Sequence, residues 1–200
     1  MKRFKKFALL CGLIFAFPFK ITAAEKYALI IAIGDYDTKT GWSKISSAND
    51  VPLIKNALLK QSFNESNFTV LMNFYATKSG IENAFKVLIN KLKKGDIVVV
   101  HYSGHGQQIF DDNGDEVDGL DEALVPVDAW ANYNAKYKGE NHLRDDEIQK
   151  IITGLHPTFL QSFIRKFMRR KEFTFRRIIR YFVFFVMCSN NVKLLKISVH

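Results

Sequence analysis

Cysteine is nearly absent from this chain of 200 residues: Cys11 and Cys188 are the only two. Cys11 lies in a segment that reads as a removable leader, so one thiol remains afterwards and no internal disulfide is expected. Acidic residues are missing altogether from residues 1–24, and residues 156–200 hold a single one, Glu172. Glycine is absent from residues 156–200. The chain shows no internal repeat and no low-complexity linker. Its one apolar run near the start, Phe7–Phe19, is interrupted by Pro18 and is too short for a comfortable membrane span.

The net charge of +9 is therefore a property of the ends. Residues 1–24 carry five Lys/Arg and residues 156–200 carry ten, whereas 25–155 carry 14 basic and 19 acidic residues. A nucleic-acid partner needs a basic face on the folded part, and the acidic middle argues against one. It suits cations or basic substrates. Met1–Ala24 reads as a secretory signal: Lys2, Arg3, Lys5 and Lys6 precede the apolar run, and Thr22-Ala23-Ala24 offers small residues for cleavage. The expected location is secreted or periplasmic, with no membrane partner once the signal is removed.

Residues 25–155 alternate strand-like and helix-like segments, which points to an α/β domain with a central, mostly parallel sheet flanked by helices. Tyr27–Ile33 and Ile97–Tyr102 are near-continuous apolar runs, as for strands buried on both faces. Phe68–Met72 and Ala123–Val127 are shorter extended runs. Ala48–Leu59, Ser79–Leu92 and Asp146–Leu155 carry apolar residues at helical spacing. Ligands in such sheets sit beyond the carboxyl ends of the strands, which puts Gly34-Asp35 and the Ser103–Gly106 turn on one edge.

The informative stretch is Tyr102-Ser103-Gly104-His105-Gly106. A buried strand runs into a small-residue turn, and an imidazole, which transfers protons near neutral pH, stands between two glycines. An acidic loop from Asp111 to Glu122 follows, then Pro126-Val127-Asp128. As an EF-hand the loop fails, because Glu116 stands where the turn glycine belongs. Asp111, Asp112 and Asp115 read as a solvated face.

Together with Ser47-Ala48-Asn49-Asp50 and Asp145-Asp146-Glu147-Ile148, these blocks resemble the caspase-like cysteine peptidases, most closely the metacaspases and their bacterial relatives. The resemblance covers roughly residues 25–155. It implies a caspase-like fold and a polypeptide substrate. It implies that His105 is the histidine of a Cys-His dyad and that the Gly106 N–H helps hold the oxyanion. It implies that Asp50, beside Ser103, receives a basic substrate side chain. Asp121, Asp145 and Asp146 match carboxylates that bind an activating calcium in many metacaspases; no other cofactor is implied. Helix-start roles remain open for Asp50, Asp145 and Asp146.

The resemblance stops near residue 155. A dyad cysteine belongs ~50 residues beyond the histidine, and none occurs there. Residues 156–200 are basic and hold eight of the 18 Phe, which reads as a non-homologous tail on an incomplete domain. Cys188 follows an apolar run, Tyr181–Met187, but lies 83 residues past His105 and lacks the flanking Asp and Gly of the family turn. It reads as an inert thiol. The expectation is a caspase-like endopeptidase domain, inactive as written. The alternatives are a non-catalytic calcium- or peptide-binding module and a degraded gene product with no stable fold. A lost strand would also leave an unpaired apolar edge.

Overall fold

Val, Ile and Leu dominate the two longest apolar runs, and both become central strands of one sheet. The structure is a computed structural model that describes residues 24–93, 95–114, 117–153 and 185–187. Residues 1–23 of the segment expected to be a signal, Cys188 and nearly all of the basic tail lie outside the described residues. Strand β1 (Lys26–Ala32) pairs in parallel with β2 (Phe68–Met72) on one side and β3 (Ile97–Ser103) on the other. The first crossover carries helix α1 (Asp50–Lys60) and the second carries α2 (Lys78–Lys91). The α/β architecture expected from the alternation is the one observed.

Side chains alternate across a strand, so β1 feeds two cores. Leu29, Ile31 and Ile33 point to one face, where Ile81, Phe85 and Leu88 of α2 and Ile148 meet them. Ala28, Ile30 and Ala32 point to the other, against Val51, Ile54 and Leu58 of α1. The same alternation sorts β3. Val98, Val100 and Tyr102 share the α2 face, and Val99 shares the α1 face. By period two, His101 and Ser103 fall on the α1 face with Val99. This places the polar end of β3 under the start of α1.

Helix α2 begins one residue earlier than its apolar spacing suggests, because Thr77 caps it and accepts a hydrogen bond from the Gly80 N–H at 3.0 Å. The buried stripe of α1 is Val51, Ile54 and Leu58, while Leu59 is 40% exposed. Beyond β3 the chain forms a second, antiparallel sheet of β4 (Gly106–Phe110), β5 (Leu120–Leu124) and β6 (Leu143–Arg144), in the order β4-β5-β6. The extended run expected at Ala123–Val127 thus begins three residues earlier and ends at Leu124. Helix α3 (Asp145–Thr153) follows β6 directly.

The outer edge of β3 is taken by β7 (Phe185–Met187), which runs antiparallel with Val98 opposite Met187 and Val100 opposite Phe185. The first sheet is therefore β2-β1-β3-β7. Three residues of the Phe-rich tail cover part of the edge that was expected to be bare. Phe185–Met187 therefore run away from the His105 end of β3.

Candidate active site

The carboxyl edge of the parallel sheet gathers buried polar residues, among them Ser47, Ser103 and His105. After β1 the backbone turns at Gly34, whose carbonyl accepts the Ile45 N–H at 2.9 Å. A Cβ there would lie 2.4 Å from the Ile45 carbonyl oxygen, so only glycine permits this approach. Asn73, in the left-handed region at φ 46°, accepts the N–H groups of Gly34 and Asp35 through Oδ1 at 2.9 and 3.1 Å. The ends of β1 and β2 are thereby tied together. The returning segment delivers Trp42 and Ser43 to the end of β3.

His105 sits in that return and is 5% exposed. Its ring stacks on Trp42 with centroids 4.9 Å apart and leans on Tyr36 at the same distance. Nε2 lies 2.8 Å from the Ser43 carbonyl oxygen. A carbonyl only accepts, so Nε2 must carry the proton and Nδ1 is left as the basic nitrogen. Gly106, next in the chain, opens β4.

Asp50 is the first residue of α1, and its Oδ2 accepts the Ser103 hydroxyl at 2.6 Å. The fully buried His101 lies one β-period below Ser103, and Asp50 is the charge that acts on it. Burial outweighs that attraction and lowers the His101 pKa to about 4. Asp50, Ser103 and His105 thus share the carboxyl edge, with Asp50 both starting a helix and facing the strand end.

The second acidic group lies where the antiparallel sheet meets α3. Asp121 is 1% exposed and receives Nη1 of Arg144, which also donates to the Phe110 carbonyl at 2.7 Å. Nε of Arg144 approaches Asp112 at 3.5 Å. Carboxylate oxygens of Asp111, Asp112 and Asp121 all lie within 4.8 Å of one another. The structure therefore brings Asp111 and Asp112, read from the sequence as solvated, into a cluster with Asp121. Asp146 accepts Nδ2 of Asn113, linking the acidic loop to α3. Asp145 accepts the Asp146 N–H at 2.9 Å, a helix-start contact. Burial, reinforced by the charges of Glu122, Asp121 and Asp146, pushes Asp145 up to about 7.

Residues 26–163 match the family profile described as Metacaspase, peptidase C14 domain. The chain belongs to the metacaspase family. Metacaspase-2 of Arabidopsis thaliana is 36% identical over 135 residues, covering 64% of this chain and 30% of that protein. Metacaspase-1 of Eremothecium gossypii is 33% identical over 135 residues, covering 64% of this chain and 28% of that protein. The solved protein GSU0716 from Geobacter sulfurreducens is 28% identical with a TM-score of 0.49, over 64% of this chain and 44% of that one. The chain thus spans about a third or less of the curated metacaspases it matches.

Sequence reasoning missed three parts of this metacaspase site. Tyr36 is a lone aromatic in a loop, without periodicity. Ser43 contributes a backbone carbonyl, which no side-chain pattern records. Arg144 stands beside the expected Asp145-Asp146 pair, and its charge in an acidic region was the available signal.

Proposed function

We propose that this chain is the His-bearing part of a caspase-like cysteine endopeptidase acting on polypeptides beside Lys or Arg, exported by its first 24 residues, and that on its own it does not turn over peptide. The bond from His105 Nε2 to the Ser43 carbonyl carries this reading, because it leaves Nδ1 basic at the sheet edge. There Nδ1 would take a thiol proton and return it to the leaving amine, while the Gly106 N–H steadies the oxyanion. The Asp50 carboxylate, held by Ser103, would pair with the substrate's cation. Neither Cys11 nor Cys188 supplies a nucleophile to this reading. The purified chain is expected to release no fluorophore from Arg- or Lys-terminated reporter peptides under reducing conditions. Cleavage that needs a thiol and disappears in His105→Ala would overturn the inactivity.

A second role, calcium binding, is favoured by the acidic cluster. Asp111, Asp112 and Asp121 offer only hard oxygen atoms at close range, and Asp145 and Asp146 adjoin them. The donor set fits that ion, with Arg144 occupying one oxygen of Asp121. Bound calcium would supply positive charge against carboxylates that otherwise repel. Titration calorimetry of the full chain is expected to show calcium binding that Asp121→Asn weakens at least tenfold. Absence of binding heat, with no calcium effect on the melting temperature, would remove calcium from the proposal.

A further inference from the structure

The two buried tyrosines behind His105 form a closed circuit with the backbone. Tyr36 and Tyr102 are each 1% exposed, and Val125 is fully buried. The His105 N–H donates to the Tyr36 hydroxyl oxygen at 3.1 Å, and that hydroxyl donates to the Val125 carbonyl at 2.9 Å. The Val125 N–H donates to the Tyr102 hydroxyl oxygen at 3.1 Å, and that hydroxyl donates to the His105 carbonyl at 2.8 Å. The Val125 N–H also donates directly to the His105 carbonyl at 3.1 Å, and the Tyr102 hydroxyl also lies 2.9 Å from the Val125 carbonyl, so the two hydroxyls reinforce a main-chain bond between these residues while that of Tyr36 takes the His105 N–H. Water reaches none of them, so each bond has no solvent substitute. A Cβ on Gly104 would lie 2.6 Å from the Tyr102 oxygen and 3.0 Å from that of Tyr36. The small residue before His105 is thereby required by the hydroxyls themselves. The Tyr36 ring also lies against the imidazole, with centroids 4.9 Å apart.

We propose that Tyr36 and Tyr102 are positioning residues for the catalytic turn: their hydroxyls clamp the His105 backbone to Val125, so that the imidazole and the Gly106 N–H hold one orientation before substrate arrives. The inference rests on reading His105 as the proton carrier. The logic is preorganisation, since a catalytic group must be held by neighbours whose own geometry is locked. Tyr102 comes from the strand that ends in the turn, and Tyr36 from the loop after β1. The clamp therefore joins two strand ends to the antiparallel sheet through these hydrogen bonds.

The test uses the full chain with ¹⁵N-labelled histidine and follows imidazole nitrogen shifts at neutral pH. Wild type is expected to show His105 as a single tautomer protonated at Nε2. Tyr36→Phe and Tyr102→Phe are each expected to lose that single pattern, giving averaged or exchange-broadened signals. Tyr133→Phe, which removes a buried hydroxyl outside the circuit, is expected to keep it. Variants that melt earlier yet retain the wild-type His105 pattern would overturn the proposal, since a purely structural role predicts that result. Should the Phe variants not fold, wild-type amide exchange decides. The His105 amide, which donates to the Tyr36 hydroxyl, must exchange as slowly as those of Val99 and Val100 in β3; exchange within seconds would sink the clamp. Peptide cleavage plays no part in these readouts, so failure of the peptidase reading would leave them standing.

Discussion

Asp145→Asn is expected to turn a shallow acid response into a steep one. Three buried groups with large shifts dominate the pH dependence, and Asp121 and Glu122, both raised by burial, act in the same direction as Asp145. His101 and His142 are both pushed down to about 4, chiefly by burial. A histidine with a lowered folded pKa stabilises fully above its unfolded value near 6.5, and that stability is lost as pH falls towards 4. His142 has a structural reason for staying neutral: Nε2 donates to Gln107 Oε1 at 2.7 Å and Nδ1 accepts from the Tyr137 hydroxyl at 3.0 Å. A proton on Nδ1 abolishes that acceptor. Each histidine contributes about 3 kcal/mol across the window. Asp145 runs the other way. Its carboxyl is raised to about 7, so its unfavourable charged form is relieved as pH falls from 7 to 4. That offsets about 4 kcal/mol at most, and less after solvent screening. Wild type should therefore lose only a few kcal/mol between pH 7 and 4. Asparagine keeps the helix-start acceptor but cannot titrate, so the variant should lose about 6 kcal/mol over the same range. Urea unfolding at both pH values, with chelator present, reads this directly. Equal slopes in the two proteins would refute the assignment to Asp145.

Gly34→Ala is expected to cost about 3 kcal/mol or more and to disturb His105 from a distance. The added Cβ meets the Ile45 carbonyl oxygen at 2.4 Å and the Ser47 amide nitrogen at 3.3 Å. Both are backbone atoms, so no side chain can swing aside, and the 41–49 segment must move as a unit. That segment holds Ser43, the hydrogen-bond partner of His105 Nε2, and Trp42, on which the ring stacks. The variant should therefore show both a lower melting temperature and a changed His105 imidazole signal. A loss of stability with an unaltered imidazole signal would show that the strap relaxes without touching the histidine.

Residues 27–33 and 97–102 announced themselves as strands because both faces are buried and apolar side chains run without a break. The helices were legible for the opposite reason, a single apolar stripe. Strand β4, Gly106–Phe110, was not legible: it is flanked by glycine, holds two glutamines and is only half-buried for most of its length. Its partner β5 exchanges acidic and apolar residues beside a charged loop, and its ends are set by pairing with β4 rather than by composition. At the site, His105, Asp50 and Ser103 were found through local motif and order. Tyr36, 69 residues from His105, and the Ser43 carbonyl, 62 residues away, act through contacts that only the fold creates. Asp111 and Asp112 look solvated as a sequence, and gain their setting from the β4–β5 hairpin that brings Asp121 beneath them.

The late position of β7 in the chain has a consequence for biosynthesis. Strand β3 ends at Ser103, whereas its outer partner ends at Met187, 84 residues later. At ribosomal speeds of ~5–20 residues per second, the valine-rich edge waits roughly 4 to 17 seconds for that partner. A nascent-chain intermediate with β1, β2 and β3 assembled presents open hydrogen-bonding groups throughout the wait. Chaperone capture is expected to peak in that interval and to fall once residue 187 has cleared the exit tunnel.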